Sequence, residues 1–195
     1  MIDQGWTLVT VDQFSKPVTT VLRRAWHRIG SRPTVEVAPS TDRVTVLGAV
    51  THDGRSFYCW TEENLTADHG VRFLDALQTE FGEDLVVHID RASYFYAKDV
   101  WKFVSGEEAT EVIGDTAVER VRNETFEAWY FPPRLPELNP VEQCWNQLDE
   151  WFNHLLIEDL EQLQAELRVA LAELNEPNVF NYLLPEDYEG ELKTN

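Results

Sequence analysis

At 195 residues, 43% hydrophobic and 12% aromatic, the chain is long enough to fill a core of its own and reads as one globular domain. No stretch approaches the roughly eighteen uninterrupted apolar residues of a membrane span, and the opening MIDQGWTLVTVDQ lacks the basic-then-apolar order of a secretory leader, so a soluble, cytoplasmic protein with no membrane partner is expected. Its 16 basic and 35 acidic side chains give a net charge of −19, which argues against ordinary electrostatic docking on nucleic acid.

Thr7-Leu8-Val9-Thr10-Val11 is rich in β-branched residues and runs into Asp12, which places that acid at or near the C-terminal end of a first strand. Thr34 to Val37, Arg43 to Val50 and, after the turn signal His52-Asp53-Gly54-Arg55, Ser56 to Trp60 then read as an antiparallel meander. Thr66 is an N-cap for a helix with Val71, Leu74, Leu77 and Phe81 on one face, and Gly82 stops it. Asp84 to Ile89 is a short apolar run that ends at Asp90, a second acid at a second strand end. A helical stretch from about Ala97 to Val104 leads into an acidic segment, Ser105 to Asn123, read as a loop insertion, and Phe126 to Phe131 is a last strand. Asn139-Pro140 begins a helix with Val141, Trp145, Leu148, Phe152 and Leu155 at helical spacing; Leu160, Leu163, Leu167, Leu171 and Leu174 mark another. Cys59 and Cys144 fit no metal-ligand spacing and read as reduced core residues.

Strands, helix, strand, helix, strand, helices is the order of a ribonuclease-H-like α/β fold, with a mixed central sheet, an antiparallel three-strand start and flanking helices. Asp12 and Asp90 at strand ends, with Glu142 in the first turn of a later helix, converge at one sheet edge, where open α/β sheets place their sites. Three carboxylates suit hard divalent cations such as Mg²⁺ and suffice for two of them. Glu142 also has a structural explanation, since Asn139 as N-cap, Pro140 at the first helical position and Glu142 at the third make a capping-box-like start. His88 reads as a satisfied core histidine, and Trp26, Trp129 and Trp145 as packing.

Val11-Asp12-Gln13, Ala25 to Gly30, Val87-His88-Ile89-Asp90-Arg91-Ala92-Ser93, and above all Phe131-Pro132-Pro133-Arg134-Leu135-Pro136-Glu137-Leu138-Asn139-Pro140-Val141-Glu142-Gln143-Cys144-Trp145 carry a resemblance. From about Thr7 to Leu174 the chain resembles the DDE-type endonuclease domain of insertion-sequence transposases in the mariner superfamily. The resemblance implies a metal-dependent DNA endonuclease and strand transferase acting at transposon ends, with Asp12, Asp90 and Glu142 as catalytic metal ligands for two Mg²⁺ or Mn²⁺ ions. DNA is then the partner, with a homodimer as the expected assembly. Arg91, Lys98, Lys102 and Arg134 flank the acids as candidate phosphate contacts. On this reading residues 1–176 form the catalytic domain and 177–195 a C-terminal tail.

Three departures qualify the resemblance. Gln13 stands where a glutamate is common, Asp90 and Glu142 lie 52 residues apart, which is long for the family, and the first strand starts almost at Met1. The last leaves no room for the family's N-terminal helix-turn-helix domain, so a separate DNA-reading polypeptide is a candidate partner. Two alternatives stay open: a catalytically inactive, truncated remnant that acts by dimerisation or regulation, and a ribonuclease-H-like nuclease on another nucleic acid. The acidity has its own reading, adaptation to the high salt of a halophile. The chain has four lysines, acids spread along its whole length, and at about 1 M salt a Debye length of roughly 3 Å screens their repulsion.

Overall fold

The computed structural model describes residues 5–18, 28–31, 40–82, 84–105, 120–122, 124–131, 139–153 and 155–179. Its elements are β1 (Thr7–Pro17), β2 (Arg43–Thr51), β3 (Ser56–Thr61), α1 (Ala67–Phe81), β4 (Leu85–Ile89), α2 (Lys98–Ser105), β5 (Arg120–Arg122), β6 (Phe126–Tyr130), α3 (Glu142–Phe152) and α4 (Leu160–Ala172). The strands form one mixed sheet in the order β3-β2-β1-β4-β6-β5. The pairs β1–β2, β2–β3 and β5–β6 are antiparallel, whereas β1–β4 and β4–β6 are parallel. The expected antiparallel start and mixed sheet are therefore present. The strand expected at Thr34 to Val37 lies outside the described residues.

Period-two alternation divides the sheet between two cores. Val9 and Val11 of β1, Val87 and Ile89 of β4 and Ala128 of β6 face Phe73, Leu74 and Leu77 of α1 and Val100, Trp101 and Val104 of α2. Leu8 of β1, Val44, Val46 and Val50 of β2 and Val86 of β4 face Cys144, Trp145, Leu148 and Phe152 of α3 and Leu163 and Leu167 of α4. Each fully buried Leu or Phe on these faces contributes about 1.5–3 kcal/mol. Val179, past the expected end of the domain at 176, is also buried in the second core.

Two corrections concern the chain's path. β1 does not end at Asp12 but continues to Pro17, because residues beyond Val11 keep pairing with β2 down to Pro17–Arg43. The 105–123 segment is not wholly loop: Ser105 closes α2, and Arg120–Arg122 form an edge strand on β6. The expected limits of α1 and the start of α4 hold closely. Thr66 precedes α1 and its backbone N–H donates to His69 Nδ1 at 3.2 Å, while Gly82 ends the helix at φ 105°. Asp159 caps α4 by accepting from the Gln162 N–H at 2.8 Å. No helix among the described residues is long and apolar enough to cross a membrane.

Gly70 lets α1 approach the turn that follows Asp90. A Cβ there would stand 2.5 Å from the Tyr94 carbonyl oxygen and 3.4 Å from Phe95 Cδ1. Alanine normally gains about 1 kcal/mol over glycine inside a helix, but this overlap with backbone reverses the sign. Gly70→Ala should lower stability by roughly 1–3 kcal/mol in urea titrations; a gain would show that the turn yields without cost.

Candidate metal centre

Strand register brings the two aspartates together. Thr7 to Thr10 of β1 pair in parallel with Leu85 to His88 of β4, and the same offset carried two residues further sets Asp12 level with Asp90. Both belong to the alternation that faces α3, since Leu8 and Val86 pack in that core. β4 ends at Ile89, so Asp90 stands at its C-terminal end as expected. Asp12 instead lies inside β1, at the level where the parallel neighbour stops, and so still opens onto the sheet edge.

The third acid arrives on α3, which is docked along β1. Asn139 Nδ2 donates to the Val11 carbonyl oxygen at 3.0 Å, Trp145 Nε1 to Asp12 Oδ2 at 3.0 Å, and Lys16 Nζ to Asp149 Oδ1 at 2.9 Å. These three ties fix Asn139, Trp145 and Asp149 against Val11, Asp12 and Lys16 of β1. Glu142 sits between the first two ties.

The helix entry differs from the expected cap. α3 starts at Glu142 rather than at Pro140, because the preceding residues form a tight turn closed by i→i+3 bonds from Glu142, Gln143 and Cys144. Asn139 Oδ1 accepts the Val141 N–H at 3.3 Å while its amide holds β1. The Glu142 carboxylate makes no hydrogen bond among the described residues, which leaves the reciprocal half of a capping box unmade.

The electrostatics are those of an anionic cluster. Burial, with the negative charge of Glu142 and then Asp90, pushes the Asp12 carboxyl up to about 7, against opposing hydrogen bonds from the Gln13 backbone and Trp145. Burial also raises Asp90, which Ala92 partly offsets by donating its N–H to Oδ1 at 3.0 Å, and burial raises Glu142. Among the described residues none of the three acids has an ion-pair partner. Three hard oxygen donors whose ionised forms are disfavoured suit a divalent cation. They do not form a closed shell, for among the described residues no three His, Cys, Asp or Glu side chains converge tightly enough to hold an ion together. The oxygen-donor chemistry of the three side chains fits a hard divalent cation.

Two neighbours escaped the sequence reading. Trp145 reads as packing in the sequence, yet its indole donates to Asp12; its position three residues after Glu142, on the same helix face, and the need of a buried indole N–H for an acceptor are the available signals. Tyr94 has a buried hydroxyl with no hydrogen-bond partner among the described residues, and after burial the charges of Asp90 and then Asp12 push its phenol up. No spacing rule would have found it.

The basic candidates are less closely placed. Arg91 Nε donates to the Phe131 carbonyl oxygen at 3.2 Å, and its guanidinium lies over the Tyr96 ring at 5.4 Å. Lys98 and Lys102 stand exposed on α2, on the opposite sheet face from α3, and no ion pair among the described residues joins them to the acids. Arg134 and Trp26 lie outside the described residues. His88 stacks on Trp129 at 6.3 Å, and burial lowers it to about 4, so it stays neutral near pH 7, as a core histidine should.

A mixed sheet with two acids level on adjacent strands and a third on a helix docked on β1 defines a class, and the sequence agrees. The pattern of the DDE superfamily endonucleases matches residues 7–164, and the chain belongs to that family. Its fold is similar to that of the Mos1 transposase in a paired-end complex with left transposon end, at a TM-score of 0.62 and 15% identity, covering 93% of this chain and 53% of that one. The Mos1 mariner paired-end complex with Mn gives 0.60 and 16%, with 93% and 53% covered. The catalytic domain of Mos1 mariner transposase gives 0.56 and 14%, with 93% and 78% covered. The chain thus spans about half the length of the transposase chains in the complexes. No curated protein matches it.

Proposed function

We propose that this domain cleaves DNA strands at transposon ends and joins them to a target, in a reaction that depends on Mg²⁺ or Mn²⁺ held by Asp12, Asp90 and Glu142. The observation that carries this reading is the shared level of Asp12 and Asp90 on one sheet face beside the helix of Glu142. Similar chains have been solved with a transposon end and with Mn or Mg, which supports the substrate and the metal.

Asp12 feels the charge of both other acids, and Asp12, Asp90 and Glu142 are the residues that would hold the ions, two of them in this reading. When bound, such ions lower the pKa of an attacking water and stabilise the leaving oxygen of an in-line displacement at phosphorus. The chain supplies the frame. Trp145 and the Gln13 backbone hold Asp12, and the Ala92 N–H holds Asp90, and each carboxylate has lone pairs beyond these. Because a freed 3′-hydroxyl can take the place of water, hydrolysis and strand transfer need no separate site. A second copy of the chain and a DNA-reading helix-turn-helix polypeptide complete the proposed assembly, and Lys98, Lys102, Arg91 and Arg134 are its proposed phosphate contacts.

The reading is tested by nicking of an end-containing duplex with Mn²⁺. Asp90→Asn and Glu142→Gln should each reduce it to background. Full activity in Glu142→Gln would remove that residue from the ligand set, and calorimetry showing no Mn²⁺ binding by the wild-type chain in high salt would favour a purely regulatory role.

A further inference from the structure

Asp12, Gly48 and Tyr58 form one rung across β1, β2 and β3, because Asp12 pairs with Gly48 and Gly48 with Tyr58. The rung has no side chain at its middle, and the Trp145 indole fills that gap. A Cβ on residue 48 would meet Trp145 Cζ2 and Tyr58 Cδ1 at 3.0 Å each, with Trp145 Cη2 nearer still. The indole is stacked on Phe14 at 5.5 Å and meets the Tyr58 ring edgewise at 6.2 Å, so its plane is fixed on both sides. From that pose its N–H reaches Asp12 Oδ2 at 3.0 Å.

We propose that Trp145 is a positioning residue for Asp12, seated by the absence of a side chain at Gly48. This rests on the metal-site reading and specifies how the site is preorganised. The last torsion of an aspartate is broad and roughly two-fold. The indole donor on Oδ2, together with the hydrogen bond from the Gln13 backbone, removes that freedom, and a carboxylate has lone pairs beyond these two for cations. Trp145 and Asn139 each lie three residues from Glu142, on either side, and tie α3 to Asp12 and Val11 respectively. One helix therefore delivers the third ligand and fixes the orientation of the first, so the separation of Asp12 from Glu142 is set by α3 rather than by two independent loops.

Partners of this kind typically govern metal affinity by about 10- to 100-fold. Trp145→Phe keeps an aromatic ring on Phe14 and deletes the donor; calorimetry with Mn²⁺ alone should show affinity reduced by about that factor at unchanged stoichiometry. Gly48→Ala retains the donor but displaces the ring, and should weaken Mn²⁺ binding in the same direction. If Trp145→Phe fails to fold, benzothienylalanine at position 145, which replaces the N–H by sulfur at nearly constant shape, carries the same expectation. A structural role alone would lower the melting temperature and leave the Mn²⁺ affinity of the folded protein untouched, and that result overturns the proposal. Wild-type affinity in Trp145→Phe with binding lost in Asp12→Asn overturns the positioning role and spares the metal site. Mn²⁺ binding unaffected by Asp12→Asn overturns both.

Discussion

Asp12→Asn is expected to abolish metal-dependent cleavage and, at the same time, to raise the melting temperature of the metal-free protein at pH 8. The residue is 8% exposed, and its carboxyl is pushed from 3.8 to about 7 by burial and by Glu142 and Asp90. Between these values the unfolded chain has released the proton that the folded chain still holds. The unfolded state then binds fewer protons, so stability falls as pH rises through this window and stays lowered above it. At about 1.4 kcal/mol per unit the loss is on the order of a few kcal/mol.

Asparagine has nearly the same shape, cannot ionise and keeps an oxygen for the Trp145 N–H, so it escapes that loss. For a domain of this size each kcal/mol is worth roughly 2–4 °C, which predicts a gain of about 5–10 °C at pH 8 in a chelator and no difference near pH 4. Adding Mn²⁺ should reverse the order, because only the carboxylate gains binding energy. Equal melting of the two proteins at pH 8 would mean that Asp12 carries no such electrostatic cost.

This cost also explains which parts of the site were legible in sequence. An acid directly after a β-branched run is conspicuous because it opposes the local pattern, and both Asp12 and Asp90 were found in that way. The end of β1 is not legible, since Asp12 and Gln13 break the apolar run while the strand continues by pairing with β2, a partner distant in sequence. β5 is three residues long and paired only at the sheet edge, too short to show any period. The sequence offers Lys98 and Lys102 as phosphate contacts flanking the acids, but helical period cannot say on which face of the sheet a helix will pack, and α2 packs on the face opposite α3. Trp145 shows the opposite limit. Its apolar body fits a core stripe, and its N–H acceptor lies 133 residues away, a contact that follows from fold rather than spacing.

The net charge of −19 yields the second large effect: the melting temperature should climb steeply with KCl, by about 10 °C or more between 0.1 and 2 M if screening recovers a few kcal/mol. Few contacts inside the described structure offset the acids. Arg55–Asp53 and Arg72–Asp68 are exposed pairs of the kind worth at most about 1 kcal/mol, and Lys16–Asp149 has one buried partner. The Debye length falls from about 8 Å at 0.15 M to roughly 3 Å at 1 M, below the usual distance between neighbouring surface charges. Most of the gain should therefore appear below 1 M and level off, and it should shrink at pH 4, where carboxylates are protonated. A rise that stays linear in salt and persists at pH 4 would instead be the exclusion effect that strengthens apolar burial in any protein. The same screening bears on catalysis. An acidic surface repels DNA at low salt, while in concentrated salt little counterion-release energy remains for a basic surface to exploit. Nicking by this domain should accordingly increase with KCl over the range in which the fold is gaining stability, whereas a DNA enzyme that relies on phosphate contacts loses binding over that range.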